Sequence, residues 1–304
     1  MYAVSEAFRN AMATGNPQRI FIKFLEGTSA GTIMTNEHIA IDAGVNLHET
    51  WCNDNDVTIG NCGSSEINFV VFNDEGEWND FAFGRFKAYI GIETSESESS
   101  ITELTVAVDD SNLTATVDCN GSHETYALMP LGVFTGTRPN VVEKSEITVS
   151  SNDLMTLFDI DMPSRGDLGL SNVPLTAQVL LQAMCNHVGI PLQTTSFLNS
   201  SVGLAEWPDS FESCTMRDVL GWIAELACAN AVINRDGKLE LRWIQSTSAS
   251  YDENDYLDHA PYWYESPPID DIVVRDTLNG LEEHARSGNN PYLIQDNPFV
   301  EVTS

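Results

Sequence analysis

The stretch Ile20-Phe-Ile-Lys-Phe-Leu25 sets the fold class of this chain. Its side chains fall into two alternating sets: Ile20, Ile22 and Phe24 in one, and Phe21, Lys23 and Leu25 in the other. A period of two is typical of a β-strand, because successive side chains of a strand point to opposite faces of the sheet. Gly27 then begins a turn, and Ile33 starts another strand. The sequence therefore predicts that the first domain is built from strands.

Further strand-like runs follow at short intervals, with polar turns such as Asn73–Gly76 between them. These runs are Val57–Ile59, Ile67–Phe72, Phe86–Ile92, Leu104–Val108, Leu113–Val117 and Ile147–Val149. Many short strands with polar turns are typical of a sandwich or barrel, here of about 150 residues. A helix over residues 3–14, ending at Gly15, is predicted before them. The segment Glu93–Ser100 is too polar to pack, and we expect a mobile hairpin tip there.

From about residue 166 the pattern becomes mixed. A helix is predicted to begin at Pro174 and end at Gly189. Thr215 and Asp218 have the spacing of a capping box, which marks the start of a second helix. Asp236-Gly237, between two alternating runs, predicts a hairpin directly after that helix.

The last part of the chain begins with residues 246–260, which are polar and acidic and suit a linker. Two strand-like pieces follow, Ile272–Val274 and Tyr292–Ile294. They have too little sequence around them to form a core. We therefore expect a chain that stops early.

Acidic residues dominate the composition: 45 Asp and Glu against 14 Lys and Arg in 304 residues, a formal charge of -31. Apolar residues make up 42% of the chain, which argues against disorder. The charge disfavours tight binding of duplex DNA, because a negative surface repels phosphates. Binding to an anionic membrane surface is disfavoured for the same reason. No apolar run reaches the roughly 18–20 residues of a membrane span, so no membrane anchoring is expected.

The N-terminus has no basic region followed by an apolar stretch, so we expect no signal peptide and synthesis in a cytoplasm. In such a chain, scattered cysteines are typical of buried thiols rather than of a disulfide framework. The six cysteines are Cys52, Cys62, Cys119, Cys185, Cys214 and Cys228.

Three polar patterns could form a metal-binding or catalytic site, and each also has a purely structural interpretation. Cys185 and His187 lie two apart on a predicted helix and face different directions, which favours a core cysteine beside a helix-terminal histidine over a metal site. The segment Asp54–Thr58 lacks the glycine and glutamate of a calcium loop, which favours a turn. Asp159 and Asp161 would share one face of a strand, as two hydrolytic carboxylates do. In a chain with this many acids, such close pairs are expected by chance, which favours a structural interpretation of Asp159 and Asp161.

From these three patterns we therefore predict no catalytic, cofactor-binding or metal-binding residues and no cofactor.

Aromatic residues form two local groups that could stack against sugar rings. One is Trp78, Phe81, Phe83 and Phe86, and the other is Tyr262, Trp263 and Tyr264. Such groups are more often core residues or interface anchors, and we prefer that interpretation.

The order of several short motifs resembles a known family. The first is Thr58-Ile-Gly-Asn-Cys-Gly-Ser-Ser-Glu-Ile-Asn-Phe69, and the second is Pro130-Leu-Gly-Val-Phe-Thr135 followed by Ile147-Thr-Val149. The third is Thr215-Met-Arg-Asp-Val-Leu-Gly-Trp-Ile-Ala224 with its Asp236-Gly237 hairpin, and the last is Asn290-Pro-Tyr-Leu-Ile-Gln-Asp-Asn-Pro298. In this order they resemble the tail hub proteins of phages and prophages. That baseplate hub family includes the N-terminal part of tail-associated lysins, and the resemblance spans roughly residues 1–300.

The resemblance implies an α+β, mainly β, architecture. A tail-tube-like β-barrel or sandwich with an N-terminal helix would occupy residues 1–165, and a small mixed α+β domain residues 166–247. Residues 248–304 would be a linker and the start of an incomplete second β-barrel. Family members usually continue beyond such a segment, so the chain is expected to be a fragment, a split gene product or a shortened chain. Many relatives carry a peptidoglycan-cleaving domain after the hub, and nothing in this sequence resembles one.

Two functions compete at this point. In the preferred one, the chain is not an enzyme. It is a virion structural protein of the tail tip, made in the host cytoplasm, and it closes the tail tube as a ring with an acidic channel for DNA. The family implies a homotrimer, or a monomer if truncation removes the second barrel. Its other partners would be the distal tail, tape-measure and fibre proteins, with DNA only in transit. The alternative is an all-β protein that binds or hydrolyses a cell-wall polysaccharide or peptidoglycan.

Overall fold

A computed structural model describes residues 4–40, 42, 44–50, 59–74, 76, 78–99, 101, 103–136, 140–143, 145–171, 174–242, 271–276, 281–286 and 298–299. The chain divides into two compact units. The first unit comprises residues 1–49, 64–156 and 233–238, and the second comprises residues 50–63, 157–232 and 239–304. The fold is mainly β with few helices.

Helix α1 (Glu6–Ala13) confirms the predicted N-terminal helix. The Ser5 side chain accepts a hydrogen bond from the backbone N–H of Phe8 and caps the first turn. Phe8 and Ala11 are buried, and they pack against Ile92 and Ala127 in the sheet. Met12, near the end of the same helix, is 59% exposed. The helix therefore covers one end of the sheet with a narrow apolar stripe.

The first unit contains one antiparallel sheet, which has ten strands among the described residues. The strands are β1 Gln18–Phe24, β2 Ile33–Met34, β3 Asn46–His48, β4 Glu66–Phe72, β5 Arg85–Glu98, β6 Thr105–Asp109, β7 Thr114–Cys119, β8 Ser122–Gly136, β9 Asn140–Glu143 and β10 Glu146–Asp153. The main order is β2-β1-β5-β8-β10-β4-β3, while β7 joins β8, β6 joins β7 and β9 joins β10.

The two ends of this strand order are connected by the segment that includes β2. At one end of the segment, Ile33 and Met34 pair with β1. At the other, the Ala40 N–H donates to the Val70 carbonyl of β4 at 2.9 Å, and Ile39 forms a β-bridge with Val71. Residues 33–40 therefore contact both β1 and β4.

The alternation in β1 separates two apolar cores, one on each face of the sheet. Ile22 and Phe24 belong to the larger core, while Phe21, between them, belongs to the smaller one. The larger core contains Ile22, Phe24, Met34, Ile39, Ile67, Phe69, Val71, Phe83, Phe86, Ala88, Phe134, Ile147 and Val149. The smaller core contains Phe21, Tyr89, Ala115, Val117, Tyr126 and Leu128. Strands such as β1 therefore bury apolar side chains on both faces of the sheet, and burial on each face stabilises the fold.

The prediction of a mobile hairpin tip at Glu93–Ser100 is wrong. Strand β5 continues to Glu98, where it pairs with Ser122 of β8. The side chains of Thr94–Glu98 are exposed. The backbone is nevertheless held by the β8 ladder, and this non-local pairing does not depend on side-chain packing.

Strand β8 runs through Pro130, a residue that usually excludes a central strand. The β5–β8 register places Ala88 opposite Gly132 and Tyr89 opposite Pro130, which leaves Leu131 as an extra residue. This is a β-bulge, and a bulge is where a strand tolerates the missing N–H of proline.

Among its described residues, the second unit contains two α-helices and short strands. These elements are β11 Leu175–Thr176, α2 Ala177–Val188, β12 Gly203–Leu204, α3 Met216–Leu226, β13 Asn230–Ile233 (whose last residue counts in the first unit), β14 Leu239–Arg242, β15 Asp271–Asp276 and β16 Leu281–Arg286. The prediction that the first helix starts at Pro174 is wrong: Leu175 and Thr176 pair with β12, and Thr176 is the N-cap of α2. Its end at Gly189, with φ 72°, is confirmed.

The capping box at the start of α3 is confirmed, with Thr215 and Asp218 each bonding the other's backbone N–H. The hairpin after it is confirmed as β13 and β14. Strand β15 contains the predicted piece Ile272–Val274. The linker over 246–260 and the strand Tyr292–Ile294 lie outside the described residues. Among the residues that are described, no helix is long and apolar enough to cross a membrane.

Candidate functional site

The structure does not bring Asp159 and Asp161 together on a strand face. Asp159 lies outside any strand and forms a two-point ion pair with Arg217, at 2.7 Å to Nε and 2.9 Å to Nη2. Asp161 makes a single backbone bridge with Thr215. The expectation of a shared strand face is therefore wrong, and Asp159 has a structural partner.

Cys185 and His187 face different directions, as predicted. Cys185 is buried in α2, and burial raises the pKa of its thiol to about 12. His187 is exposed in the last turn of the same helix. Within the described ranges, no group of three or more His, Cys, Asp or Glu side chains could hold a metal ion.

The described cysteines are free thiols: Cys62, Cys119, Cys185, Cys214 and Cys228. Cys62 and Cys185 are buried, and the other three are partly buried. Burial also raises the pKa of the Cys62 thiol to about 12. A thiol with a raised pKa is a poor nucleophile at neutral pH. Cys52 lies outside the described residues.

The first aromatic group is part of the larger core, as the preferred interpretation predicts. Phe83 and Phe86 are buried, and Trp78 and Phe81 pack against the core from its margin. The rings meet edge to face, with centroids 5.0 Å apart for Trp78–Phe81 and 5.0 Å apart for Phe81–Phe83. The second group, Tyr262 to Tyr264, and the segment Asp54–Thr58 lie outside the described residues.

The Ser-Ser pair of the first motif binds a buried carboxylate. Ser64 Oγ donates to Asp153 at 2.9 Å, and the Ser65 N–H donates to it at 2.8 Å. The Met155 N–H donates at 3.0 Å, so Asp153 also holds the start of the short 3-10 helix at Leu154–Phe158. Burial raises the pKa of the Asp153 carboxyl, and these hydrogen bonds oppose that shift.

The first part of the same motif has a separate role in the second unit. Asn61 pairs with the stretch around β13: its N–H donates to Asn230 Oδ1 at 3.0 Å, and its carbonyl accepts from the Ala231 N–H at 2.9 Å. Gly63 has no space for a side chain, because a Cβ there would stand 2.4 Å from the Thr50 carbonyl oxygen. The motif residues therefore form backbone contacts that fix the fold.

The turn of the β13–β14 hairpin, residues 233–238, belongs to the first unit and contacts the bulged part of β8. Gly237 has φ +74°, and a Cβ on it would lie 2.9 Å from Val133. Arg235 donates to the Pro130 carbonyl at 3.3 Å and forms an ion pair with Glu49 at 3.1 Å. The hairpin turn therefore packs against Pro130 and Val133 of the second motif, within the first unit.

Lys87 on β5 lies between two carboxylates of different turns. Its ammonium is 3.4 Å from Asp236 and 3.7 Å from Asp110. Asp110 also contacts the Lys23 ammonium and the Tyr89 hydroxyl. This network holds the β6–β7 turn and the β13–β14 turn against the same strand. Sequence analysis missed it, because the four charged residues lie on distant segments.

An acidic row, defined as Glu93, Glu96 and Glu98 on β5 with Glu124 on β8, lies on one sheet face. The three β5 residues are opposite Tyr126, Glu124 and Ser122, which are alternate residues of β8 and so share a face. Burial, followed by the charges of Glu124 and Glu96, raises the pKa of the Glu93 carboxyl. Arg19 contacts the row, with its guanidinium 3.3 Å from Glu124.

No protein-family model matches the chain, and no curated protein matches it. Among solved structures, the chain is similar to the 43 kDa tail protein of prophage MuSo2 from Shewanella oneidensis, with 14% identity and a TM-score of 0.41. That match covers 88% of this chain and 68% of the other. At this identity and TM-score, the match assigns no family to the chain.

Proposed function

We propose that this chain is a structural protein of a phage or prophage tail tip, a hub that closes the tail tube. The observation that carries the proposal is the set of motifs resembling the hub family, which occur in the family's order. Each of the first three also makes defined contacts in the fold. Ser64 binds Asp153, Pro130 stands at the bulge of β8, and Thr215 caps α3.

The strand pairing supports a tube-like barrel as the first domain. Residues 33–40 contact both β1 and β4, the strands near the two ends of the sheet order. In the proposed domain division, this barrel covers residues 1–165, the mixed domain 166–247, and a linker with part of a second barrel 248–304. The hub would assemble as a homotrimer and bind distal tail, tape-measure and fibre proteins.

The proposed role is not enzymatic and needs no cofactor. The charge of -31 suits a channel wall, because a negative lumen repels DNA and lets it pass without binding. The protein would be located in the virion tail after synthesis in the host cytoplasm.

The proposal is tested by immunogold labelling of tailed particles from a bacterium that carries the gene. We expect label at one end of the tail, and rings in negative-stain images of the purified protein. Particles whose tails carry no label would contradict the proposal. Hydrolysis of purified peptidoglycan, abolished by one Asp or Glu substitution, would instead favour the cell-wall alternative.

A further inference from the structure

We propose that association between copies of this chain is controlled by ionic strength, with salt promoting assembly. The inference rests on the proposed hub function, in which several copies meet in a ring. It concerns the regulation of that assembly and follows from how the charges of one copy are arranged.

Many cations of a single copy are paired with that copy's own acids. In the part of the chain that the structure describes, seven Lys and Arg side chains form internal ion pairs: Arg19, Lys23, Arg85, Lys87, Arg217, Arg235 and Arg242. The chain has only 14 such residues against 45 acids. The acids therefore outnumber the cations about threefold, so a second copy meets a large excess of negative charge.

The imbalance is greatest in the strands that carry the acidic row. Residues 88–137 include most of β5 and all of β6, β7 and β8, and they contain eight acids with neither Lys nor Arg. Glu96 and Glu124 stand directly opposite each other within one copy. Repulsion between carboxylates is thus already present inside the monomer, and approach of another copy adds to it.

Screening by salt reduces this repulsion. The Debye length falls from about 30 Å at 0.01 M salt to about 8 Å at 0.15 M. At the longer distance the whole charge of one copy acts on its neighbour, whereas at the shorter distance only charges near the contact do. Association limited by repulsion between like-charged copies therefore strengthens as salt is added, opposite to the response of an interface held by ion pairs.

Sedimentation velocity of the full chain tests the proposal across NaCl from about 0.01 to 0.3 M, the range over which the Debye length changes most. We expect the association constant to rise by at least about tenfold, equivalent to about 1.4 kcal/mol. Choline chloride, whose bulky cation coordinates carboxylates poorly, should act equally at the same ionic strength. Association that falls with salt or does not change would overturn the proposal.

A pair of matched variants adds a second readout. Glu96→Gln with Glu98→Gln removes two exposed charges from β5, and the variant should associate at lower salt than the parent chain. Ser95→Ala with Ser97→Ala changes exposed residues of the same strand without changing its charge, and should leave the salt midpoint in place. Equal midpoints for the acid variant and the parent would contradict the proposal.

Failure of this inference and failure of the hub function give different results. Stable oligomers at every salt concentration would overturn salt control and leave the hub function standing. A chain that remains monomeric throughout would overturn salt control as well. Immunogold labelling of the tails would then decide the hub function separately, because it does not depend on association of the purified protein.

Discussion

Ser64 donates its hydroxyl hydrogen bond to Asp153 at 2.9 Å, across 89 positions of the chain. The bond joins the segment directly before β4 to the last residue of β10, and these two strands are paired along their length. A buried carboxylate needs such donors, because burying it without them is costly. This contact gives the Ser-Ser pair of the first motif a physical role.

Removal of that hydroxyl should destabilise the first unit. Ser64→Ala leaves the Asp153 carboxylate with one donor fewer, and hydrogen bonds to charged groups contribute about 1.5–3 kcal/mol. We expect a loss of that size in the free energy of unfolding, measured by urea titration. Ser95→Ala, at an exposed site on β5, is the control and should change stability by less than about 0.5 kcal/mol. Equal losses in the two variants would contradict the role assigned to Ser64.

The same carboxylate should make stability depend on pH. Burial raises the folded-state pKa of Asp153 above its ordinary value of 3.8, so the folded state holds the proton more tightly than the unfolded state. The contribution of Asp153 to stability is therefore present below the unfolded pKa and is lost as pH rises through the folded pKa. Asp153→Asn lacks this titration. The stability of the parent chain relative to that variant should fall from pH 3.8 upwards and then become constant. A difference that rises with pH in this window would show that the pKa is lowered instead.

Gly237 should not tolerate a side chain. Its φ is +74°, and a Cβ would lie 2.9 Å from Val133 and 3.4 Å from Leu154. Gly27 has φ +73° with nothing within 4 Å of its Cβ position, so Gly27→Ala measures the backbone cost alone. That cost is about 1–2 kcal/mol. Gly237→Ala should cost about 1–3 kcal/mol more in unfolding experiments, because it adds crowding in a packed region. Equal losses of unfolding free energy in the two variants would contradict the prediction, because Val133 would then make room for the new methyl group without a loss of stability.

The capping box of α3 gives a prediction within the second unit. Thr215→Ala removes the side-chain acceptor for the Asp218 N–H and should lower the free energy of unfolding by about 0.5–2 kcal/mol. Thr215→Ser keeps the hydroxyl and should retain most of the stability. Far-UV circular dichroism during denaturant unfolding measures both variants. A serine variant as unstable as the alanine variant would mean that the threonine methyl group, and not the cap, stabilises the helix.

The capping box and the Asp236-Gly237 turn were predictable because their signals are local: a cap joins residues three apart, and a tight turn needs particular residues at fixed positions. Non-local pairings were not predictable. The segment Glu93–Glu98 looks like a loop by composition, yet β8 supplies its backbone partners. Leu175 joined a strand instead of α2 because Leu204 pairs with it.

The roles of Asp153 and Lys87 were also not predictable from the sequence, because their partners are distant in the chain. Asp153 is one acid among 45, and nothing near it in the sequence distinguishes a buried carboxylate from an exposed one. Its position in the alternation of β10 is the available signal, because Ile147, Val149 and Ser151 precede it on the buried face. Lys87 could not be assigned its two partners, because Asp110 and Asp236 lie on turns far apart in the chain.

The opposition of Glu96 and Glu124 predicts a stabilising substitution. The two residues are direct cross-strand partners, and like charges in that position destabilise a sheet by about 0.2–1 kcal/mol. Glu96→Gln keeps the shape and removes the repulsion, so it should raise the free energy of unfolding by about that amount at low salt. Glu98→Gln is the control, because Glu98 lies on the same strand and face but is opposite Ser122. The difference between the two variants should shrink at about 1 M NaCl, where the Debye length is about 3 Å. A gain that persists undiminished at high salt would mean that the glutamine stabilises the strand by something other than relief of charge repulsion.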